Sequence, residues 1–178
     1  MTVSMPLRIP LLETPDDAAT REMFAKLRAE RRLLNLHRAM AHAPALFQAS
    51  NEMALAFRKD TQLPRSLVEL IILRTAQVMD CAYVWDRHVP HARAAGISDD
   101  QMAQLAHRHD SAAFTPAQQA ALDFTNEAVR RMPIAETIWA RLREYFGPRE
   151  IVEITMLIGF YVSTATFIMA LAIPDESA

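Results

Sequence analysis

The sequence predicts an all-α protein, a bundle of about seven to nine helices with a buried C-terminal helix. Only three of the 178 residues are glycine, so the chain has little of the turn chemistry that hairpins need. Ala, Leu, Met, Arg and Glu, which favour helices, are abundant throughout. Proline, glycine and serine residues mark the starts and ends of the helical segments.

The chain length fits one domain that can bury a core without disulfides. Residues 1–13 contain Pro6 and Pro10 and are predicted to form an extended N-terminal arm, a feature that often wraps a neighbouring subunit. Residues 14–178 are predicted to form a single helical domain.

The helical segments follow the arm in order. They are predicted over 16–30, 33–41, 44–59, 64–78, 81–94, 98–107, 116–130, 134–146 and 149–173. Prolines at 44, 64 and 116 suit a first helical turn, where the missing N–H is no loss. Ser98 and Gln101 form a capping box, and Gly96 ends the preceding helix by permitting a left-handed backbone.

The last segment follows the Gly147–Pro148 break, and residues 154–173 contain no charged residue. This stretch is long enough to cross a bilayer. Its Thr and Ser residues, the absence of a following Lys or Arg cluster and the amphipathic character of the other helices favour a core helix instead. We expect the domain and a partner subunit to cover it, and therefore a homo-oligomer.

The charge and cysteine content of the chain limit the classes of partner and the location that we expect. The formal net charge is −2, with acidic and basic residues interspersed, which argues against nucleic acid binding. We expect a small-molecule substrate and copies of the same chain as partners, with no nucleic acid, membrane or cofactor. The single cysteine cannot form an intramolecular disulfide, and the first residues lack a signal-peptide pattern, so the expected location is cytoplasmic.

Residues 63–96 hold the candidate chemistry. Cys81 and His88 are seven positions apart and share one helix face, with Trp85 between them. Asp80 is a plausible N-cap, which places Cys81 in the first turn, where the helix dipole favours a thiolate. Glu69 lies among apolar residues, so burial is expected to raise its pKa and suit it to acid–base work.

Other interpretations of these residues remain open. Glu69 could form a structural pair with Arg65 or Arg74, and a lone cysteine or histidine on an apolar face often only packs. Glu69, His88 and His91 could bind a metal, but Pro90 and the lack of another strong ligand argue against it, so no metal is expected. The remaining histidines, which we expect at interfaces or in solvent, are His37, His42, His107 and His109.

The spacing of Glu69, Cys81 and His88, followed by the turn at Gly96, resembles the core motif of the carboxymuconolactone decarboxylase and alkylhydroperoxidase (AhpD)-like superfamily. Residues 36–44, 81–88 and 146–161 are also similar to it. The resemblance implies an AhpD-like helical bundle assembled as trimers or hexamers. It also implies a catalytic site of Glu69, Cys81 and His88. The predicted pocket or substrate-binding residues are Tyr83, Trp85 and Arg74.

Two activities follow from the resemblance. Alkylhydroperoxidases of the family carry Cys-x-x-Cys, but Val84 stands at the second position here, so a peroxiredoxin-type antioxidant activity would have to use Cys81 alone. The decarboxylase branch acts on a carboxylated lactone and does not need paired cysteines. We therefore favour acid–base chemistry at Glu69 and His88, with one-cysteine peroxide reduction and a non-catalytic ligand-binding assembly as alternatives.

Overall fold

The computed structural model describes residues 6–105, 112–130 and 133–176. Within these ranges the chain is all-α, with no strand, as the sequence predicts. The helices of the described residues are α1 (Ala18–Ala29), α2 (Asn35–Met40), α3 (Pro44–Lys59), α4 (Arg65–Val78), α5 (Ala82–Ala94), α6 (Asp99–Gln104), α7 (Pro116–Arg130), α8 (Glu136–Tyr145) and α9 (Pro148–Leu171).

The predicted helix boundaries follow the local signals closely. Ser98 caps α6, since its hydroxyl accepts from the Gln101 amide and the Gln101 side chain accepts from the Ser98 amide, both at 3.1 Å. Gly96 has φ +86°, the left-handed conformation expected after α5. Three helices begin at a proline, namely Pro44, Pro116 and Pro148. Pro64 differs from the prediction, because it is the N-cap of α4 and lies just outside the helix.

The helices belong to two compact units. One unit contains the residues up to Lys59 and those from Phe167 onward, and the other contains Asp60–Thr166. The predicted catalytic residues all lie in the second unit. The single domain predicted for residues 14–178 stays a prediction.

The first unit has its own apolar core. Phe24 and Phe47 meet edge to face with ring centroids 5.9 Å apart, and Leu27 and Ala41 complete the buried cluster. Burial of these apolar and aromatic side chains stabilises the packing of this unit.

The N-terminal arm binds its own chain. The Arg8 amide and guanidinium donate to the carbonyls of Leu171 and Ala170, at 3.1 and 2.8 Å. His42 Nε2 lies 2.8 Å from the Pro10 carbonyl. Arg8 therefore holds the described part of the arm against the end of α9 in the same chain. Contact of the arm with a neighbouring subunit stays a prediction.

In the second unit α4 is the central helix. It packs against both α5 and α7, and α7 packs against α8. Leu70, Ile71 and Leu73 are fully buried, because a helix with neighbours on several sides has few positions left for solvent. This placement explains how a charged residue on α4 comes to lie in the interior.

The described chain buries the C-terminal helix α9 only in part, and its burial by the domain together with a partner subunit stays a prediction. Ile154, Leu157 and Ala165 are fully buried. Only 33% of the most apolar stretch of the helix is buried within the described chain. Val152 and Met156 are 61% and 49% exposed. By length and composition α9 could cross a bilayer. The chain alone covers one face of this helix.

Candidate active site

Glu69 is the buried charge at the centre of the site. It lies in the middle of α4 with no exposed surface, and each carboxylate oxygen has a partner. Arg65, one turn earlier, donates to Oε1, and His88 Nδ1 lies 2.8 Å from Oε2. The structure confirms the expected burial and the alternative pairing with Arg65. A carboxylate bound on both oxygens is held in a fixed orientation.

His88 connects this carboxylate to the protein surface. It lies on α5, and 16% of its side chain is exposed. Because the Glu69 carboxylate accepts, Nδ1 must carry the proton that it donates. In the neutral imidazole the lone pair is then on Nε2. The pair is thus a carboxylate–histidine dyad in which Glu69 fixes the tautomer and Nε2 is the atom able to take up a proton.

Tyr161 is a third member of the site that the sequence analysis did not select. Its ring meets the His88 ring edge to face, with centroids 5.1 Å apart and an angle of 88°. Burial and the negative charge of Glu69 raise the pKa of Tyr161, although Arg65 acts in the opposite direction. The phenol therefore stays protonated and can donate. One signal pointed to it: Tyr161 is the only titratable residue in the uncharged stretch 154–173.

Cys81 lies at the N-terminus of α5, but its surroundings differ from the prediction. Asp80 has φ +54° and is not the N-cap; Cys81 itself occupies that position. Its side chain is 3% exposed, and burial raises the pKa of the thiol, although the amides of Val84 and Tyr83 act in the opposite direction. The expected thiolate is wrong, because desolvation exceeds the effect of the helix terminus.

Cys81 is also separate from the dyad in its hydrogen bonding. Across the described ranges no hydrogen bond joins it to Glu69 or His88. Sequence spacing correctly placed Cys81 and His88 on the same helix, and the structure brings together Glu69 and His88.

The predicted pocket residues have structural contacts of their own. Arg74 is 5% exposed and donates to Asn126 Oδ1 at 2.6 Å and the Leu105 carbonyl at 3.3 Å, which links α4 to α7. The Arg87 guanidinium carbon lies 5.9 Å from the centre of the buried Tyr83 ring. Trp85 packs against the apolar core of the second unit. Substrate binding by Arg74, Tyr83 and Trp85 remains a prediction.

The other histidines are placed as follows. His37 Nδ1 accepts from the Leu34 amide at 3.1 Å and so helps to begin α2. His42 is exposed and contacts Pro10. The exposed His91 ring lies 5.7 Å from that of His88, but the part of the chain that the structure describes holds no group of three metal-binding side chains. His107 and His109 lie outside the described residues.

Comparison with known proteins gives a family match over part of the chain and a shared fold. Residues 44–127 match the carboxymuconolactone decarboxylase family, a range that contains Glu69, Cys81 and His88. The uncharacterized protein YdfG of Bacillus subtilis (strain 168) is 25% identical over 106 residues, which is 58% of this chain and 71% of that protein.

Two solved structures show the same fold over nearly the whole chain. One is the alkylhydroperoxidase AhpD core of an uncharacterized peroxidase-related protein from Ralstonia eutropha JMP134. Its TM-score is 0.81 and its identity 22%, covering 97% of this chain and 94% of that one. The other is a cysteine-to-alanine variant of the debrominase Bmp8 in complex with 2,3,4-tribromopyrrole. Its TM-score is 0.83 and its identity 16%, covering 98% and 95%. The chain is thus similar to the carboxymuconolactone decarboxylase family over residues 44–127, and it shares the AhpD-like fold of these solved structures.

Proposed function

We propose that this protein is an enzyme that uses Glu69 and His88 for acid–base chemistry on a small carboxylated lactone or a related organic substrate. The observation that carries the proposal is the 2.8 Å contact between His88 Nδ1 and the fully buried carboxylate of Glu69. A buried carboxylate that orients an imidazole is the usual support of a general acid–base histidine. The family match supports the assignment of an enzyme activity.

A decarboxylation at this site would balance as follows. In a lactone whose carboxylate-bearing carbon is next to a C=C double bond that is conjugated with the ring carbonyl, the bond to the carboxylate breaks and CO₂ leaves. The electron pair moves through the double bond to the carbonyl oxygen and forms an enolate. Protonated His88 then gives its Nε2 proton to the ring carbon, and solvent returns a proton to His88. Glu69 holds the imidazole in place and stabilises its positive charge during each cycle.

The state of Cys81 supports this role for the dyad. A buried thiol whose pKa is raised has little thiolate at neutral pH and is a poor nucleophile. In this proposal Cys81 contributes packing at the start of α5, and the chemistry needs no sulfur.

The direct test is turnover of a conjugated γ-lactone carboxylate, followed by CO₂ release and by the ultraviolet absorbance of the lactone. We expect Glu69→Gln and His88→Ala to lose at least about a hundredfold in kcat, because the second removes the proton-transfer group and the first removes the charge that supports it. Cys81→Ser should retain most of the activity. Turnover that survives His88→Ala, or that disappears in Cys81→Ser while the protein remains folded, would contradict the proposal.

Thiol chemistry at Cys81 is the second candidate. Cys81 is the N-cap of α5, where the amides of Val84 and Tyr83 favour the thiolate, and a protein of the same fold is a debrominase whose cysteine-to-alanine variant was solved with a bromopyrrole. With a peroxide, the thiolate would attack one oxygen and the O–O bond would break. The alcohol would leave with a proton from His88, and an external dithiol would reduce the sulfenic acid to the thiol.

This candidate predicts rapid reduction of an organic hydroperoxide with excess dithiol, and a sulfenic acid at Cys81 in the mass spectrum. Loss of that activity in Cys81→Ser would establish thiol chemistry and displace the lactone proposal. If the protein turns over neither peroxide nor lactone, the non-catalytic binding role becomes the better description.

A further inference from the structure

Two polar atoms at the dyad have no partner in the protein. Of the two ring nitrogens of His88, only Nδ1 contacts the Glu69 carboxylate. Across the described residues, neither His88 Nε2 nor the Tyr161 hydroxyl forms a hydrogen bond. Tyr161 is half-buried, and its ring is in contact with the His88 ring. Neither atom is among the fully buried unpaired atoms of the described residues, so both are accessible to a ligand. Two adjoining groups without partners, one able to take or give a proton and one able to donate, together form a place for a substrate oxygen.

We propose that Tyr161 is a catalytic residue whose hydroxyl donates a hydrogen bond to the negative oxygen that develops on the substrate beside His88. This inference rests on the proposed acid–base function and adds the group that binds the enolate. A decarboxylation leaves an electron pair on a carbonyl oxygen, and a donor held at that oxygen lowers the barrier more than any ground-state contact.

Neighbouring cations are committed elsewhere. Arg65 is bonded to Glu69, and Arg74 donates to Asn126 and to the Leu105 carbonyl on the other side of α4. Tyr161 reaches the dyad from α9 and is held by ring contacts with both His88 and Phe160, whose centroids lie 5.1 and 5.3 Å away. The ring is therefore fixed while the hydroxyl stays available, which is the condition for a preorganised donor.

The charge of the phenol is consistent with this role. Burial, assisted by the negative charge of Glu69, raises the pKa of Tyr161, so the hydroxyl keeps its proton over the working pH range. A phenol that ionised there would repel an enolate instead of binding it.

The first experiment needs no knowledge of the natural substrate. Its probe is 4-nitrophenolate, a coloured anion with its charge on an oxygen attached to an sp² carbon, as in an enolate. We expect the wild-type protein to bind it, and Tyr161→Phe to bind it about tenfold more weakly, as for one lost hydrogen bond to a charged oxygen. Tyr145→Phe is the matched control, because Tyr145 lies on α8 and is 43% exposed; it should bind like wild type.

The outcomes of this titration separate cleanly. Equal binding by wild type and Tyr161→Phe, or no binding by wild type up to millimolar probe, overturns the role of Tyr161. The phenylalanine keeps the ring contact with His88, so the NMR titration of His88 should be unchanged. An altered His88 titration together with weaker binding would show that Tyr161 only positions the imidazole, and would also overturn the proposal.

Activity on a conjugated γ-lactone carboxylate provides the second readout. Tyr161→Phe should lower kcat by about a hundredfold with little change in KM, the usual effect of losing one oxyanion donor. If wild type does not turn over the lactone, the proposed function fails, and the nitrophenolate titration alone decides the role of Tyr161. If wild type turns it over and Tyr161→Phe is equally fast, the donor role fails while the proposed function stands.

Discussion

Glu69 has two kinds of partner, and the difference between them matters at the level of the residue. Arg65 is 41% exposed and balances the buried charge from the solvent side, whereas His88 is mostly buried and takes part in the chemistry. The sequence already placed Arg65 one turn before Glu69, a spacing at which side chains meet. It could not show that both oxygens of one carboxylate would be used, because that depends on the packing of α4 against α5.

The reactivity of the Cys81 thiol depends on its burial. Its pKa is raised by burial, so the thiolate fraction at neutral pH is lower than for a free cysteine. We expect iodoacetamide to alkylate Cys81 in the folded protein several times more slowly than it alkylates glutathione at pH 8, with the rate still rising with pH above 9. Mass spectrometry over time measures this. Fast alkylation at pH 7 would contradict the raised pKa and favour the thiol candidate.

Helices that begin at a proline or a capping box were predicted well from the sequence. The turn between α4 and α5, which has neither, was not. Proline and the Ser98 box define helix starts whatever the tertiary structure. Asp80 was misassigned because aspartate suits both an N-cap and a left-handed turn, and only the backbone after α4 distinguishes them. Tyr161 stood out in the sequence only as the one titratable residue of the stretch 154–173, and nothing in the local pattern of α9 shows which helix face meets His88.

The turn after α5 depends on one glycine. Gly96 has φ +86°, and a Cβ there would meet no atom within 4 Å, so its requirement is conformational and not steric. We expect Gly96→Ala to lower the free energy of unfolding by about 1 kcal/mol, measured by urea denaturation. Gly147→Ala is the control, with no positive φ and only an ordinary contact at 3.7 Å. An equal loss in both variants would contradict this explanation.

Glu153 joins the start of α9 to the loop before α4. Its carboxylate accepts from the Thr61 hydroxyl at 2.8 Å and from the Gln62 amide and Arg149 Nε at 3.0 Å. Burial acts to raise the pKa of Glu153, but hydrogen bonds from Thr61, Arg149 and the Gln62 amide outweigh it, so the pKa lies below the ordinary 4.5. The loop geometry before Arg65 therefore depends on an ionised carboxylate.

Because the folded-state pKa of Glu153 is lowered, its contribution to stability is fully present above about pH 4.5 and is lost as the pH falls through the folded value. We expect Glu153→Gln to destabilise the protein by about 1–2 kcal/mol at pH 7 and by less at pH 3. Denaturant unfolding at both pH values tests this. Glu144→Gln, an exposed position on α8, should have no effect at either pH, and a pH-independent cost of Glu153→Gln would contradict the argument.

At the scale of the whole molecule, the main feature is the apolar surface of α9 that the chain leaves exposed. The sequence correctly indicated an apolar helix, but the chain buries only one face of it. Val152 and Met156, one turn apart on α9, are 61 and 49% exposed. Exposed apolar surface of this kind in a soluble fold usually marks an interface. We propose that further copies of the chain cover the exposed apolar residues of α9, in the trimer or hexamer that the family resemblance implies.

Charges on this face should therefore dissociate the assembly. We expect Val152→Asp combined with Met156→Lys to shift the protein to a smaller species in light scattering after size-exclusion chromatography. Leu46→Lys, a more exposed apolar position at 73% on α3, is the control and should leave the mass unchanged. A monomeric wild-type protein, or extraction only with detergent, would contradict the proposal of a soluble homo-oligomer.

The site draws its parts from two separate stretches of chain. Glu69 and His88 lie inside the segment that matches the family, residues 44–127, whereas Tyr161 lies beyond it on α9. In the proposed mechanism, the proton-transfer dyad and the donor to the substrate oxygen therefore lie on separate segments of the chain. A directed-evolution library aimed at a new substrate should therefore vary α9 around Tyr161 while leaving α4 and α5 untouched.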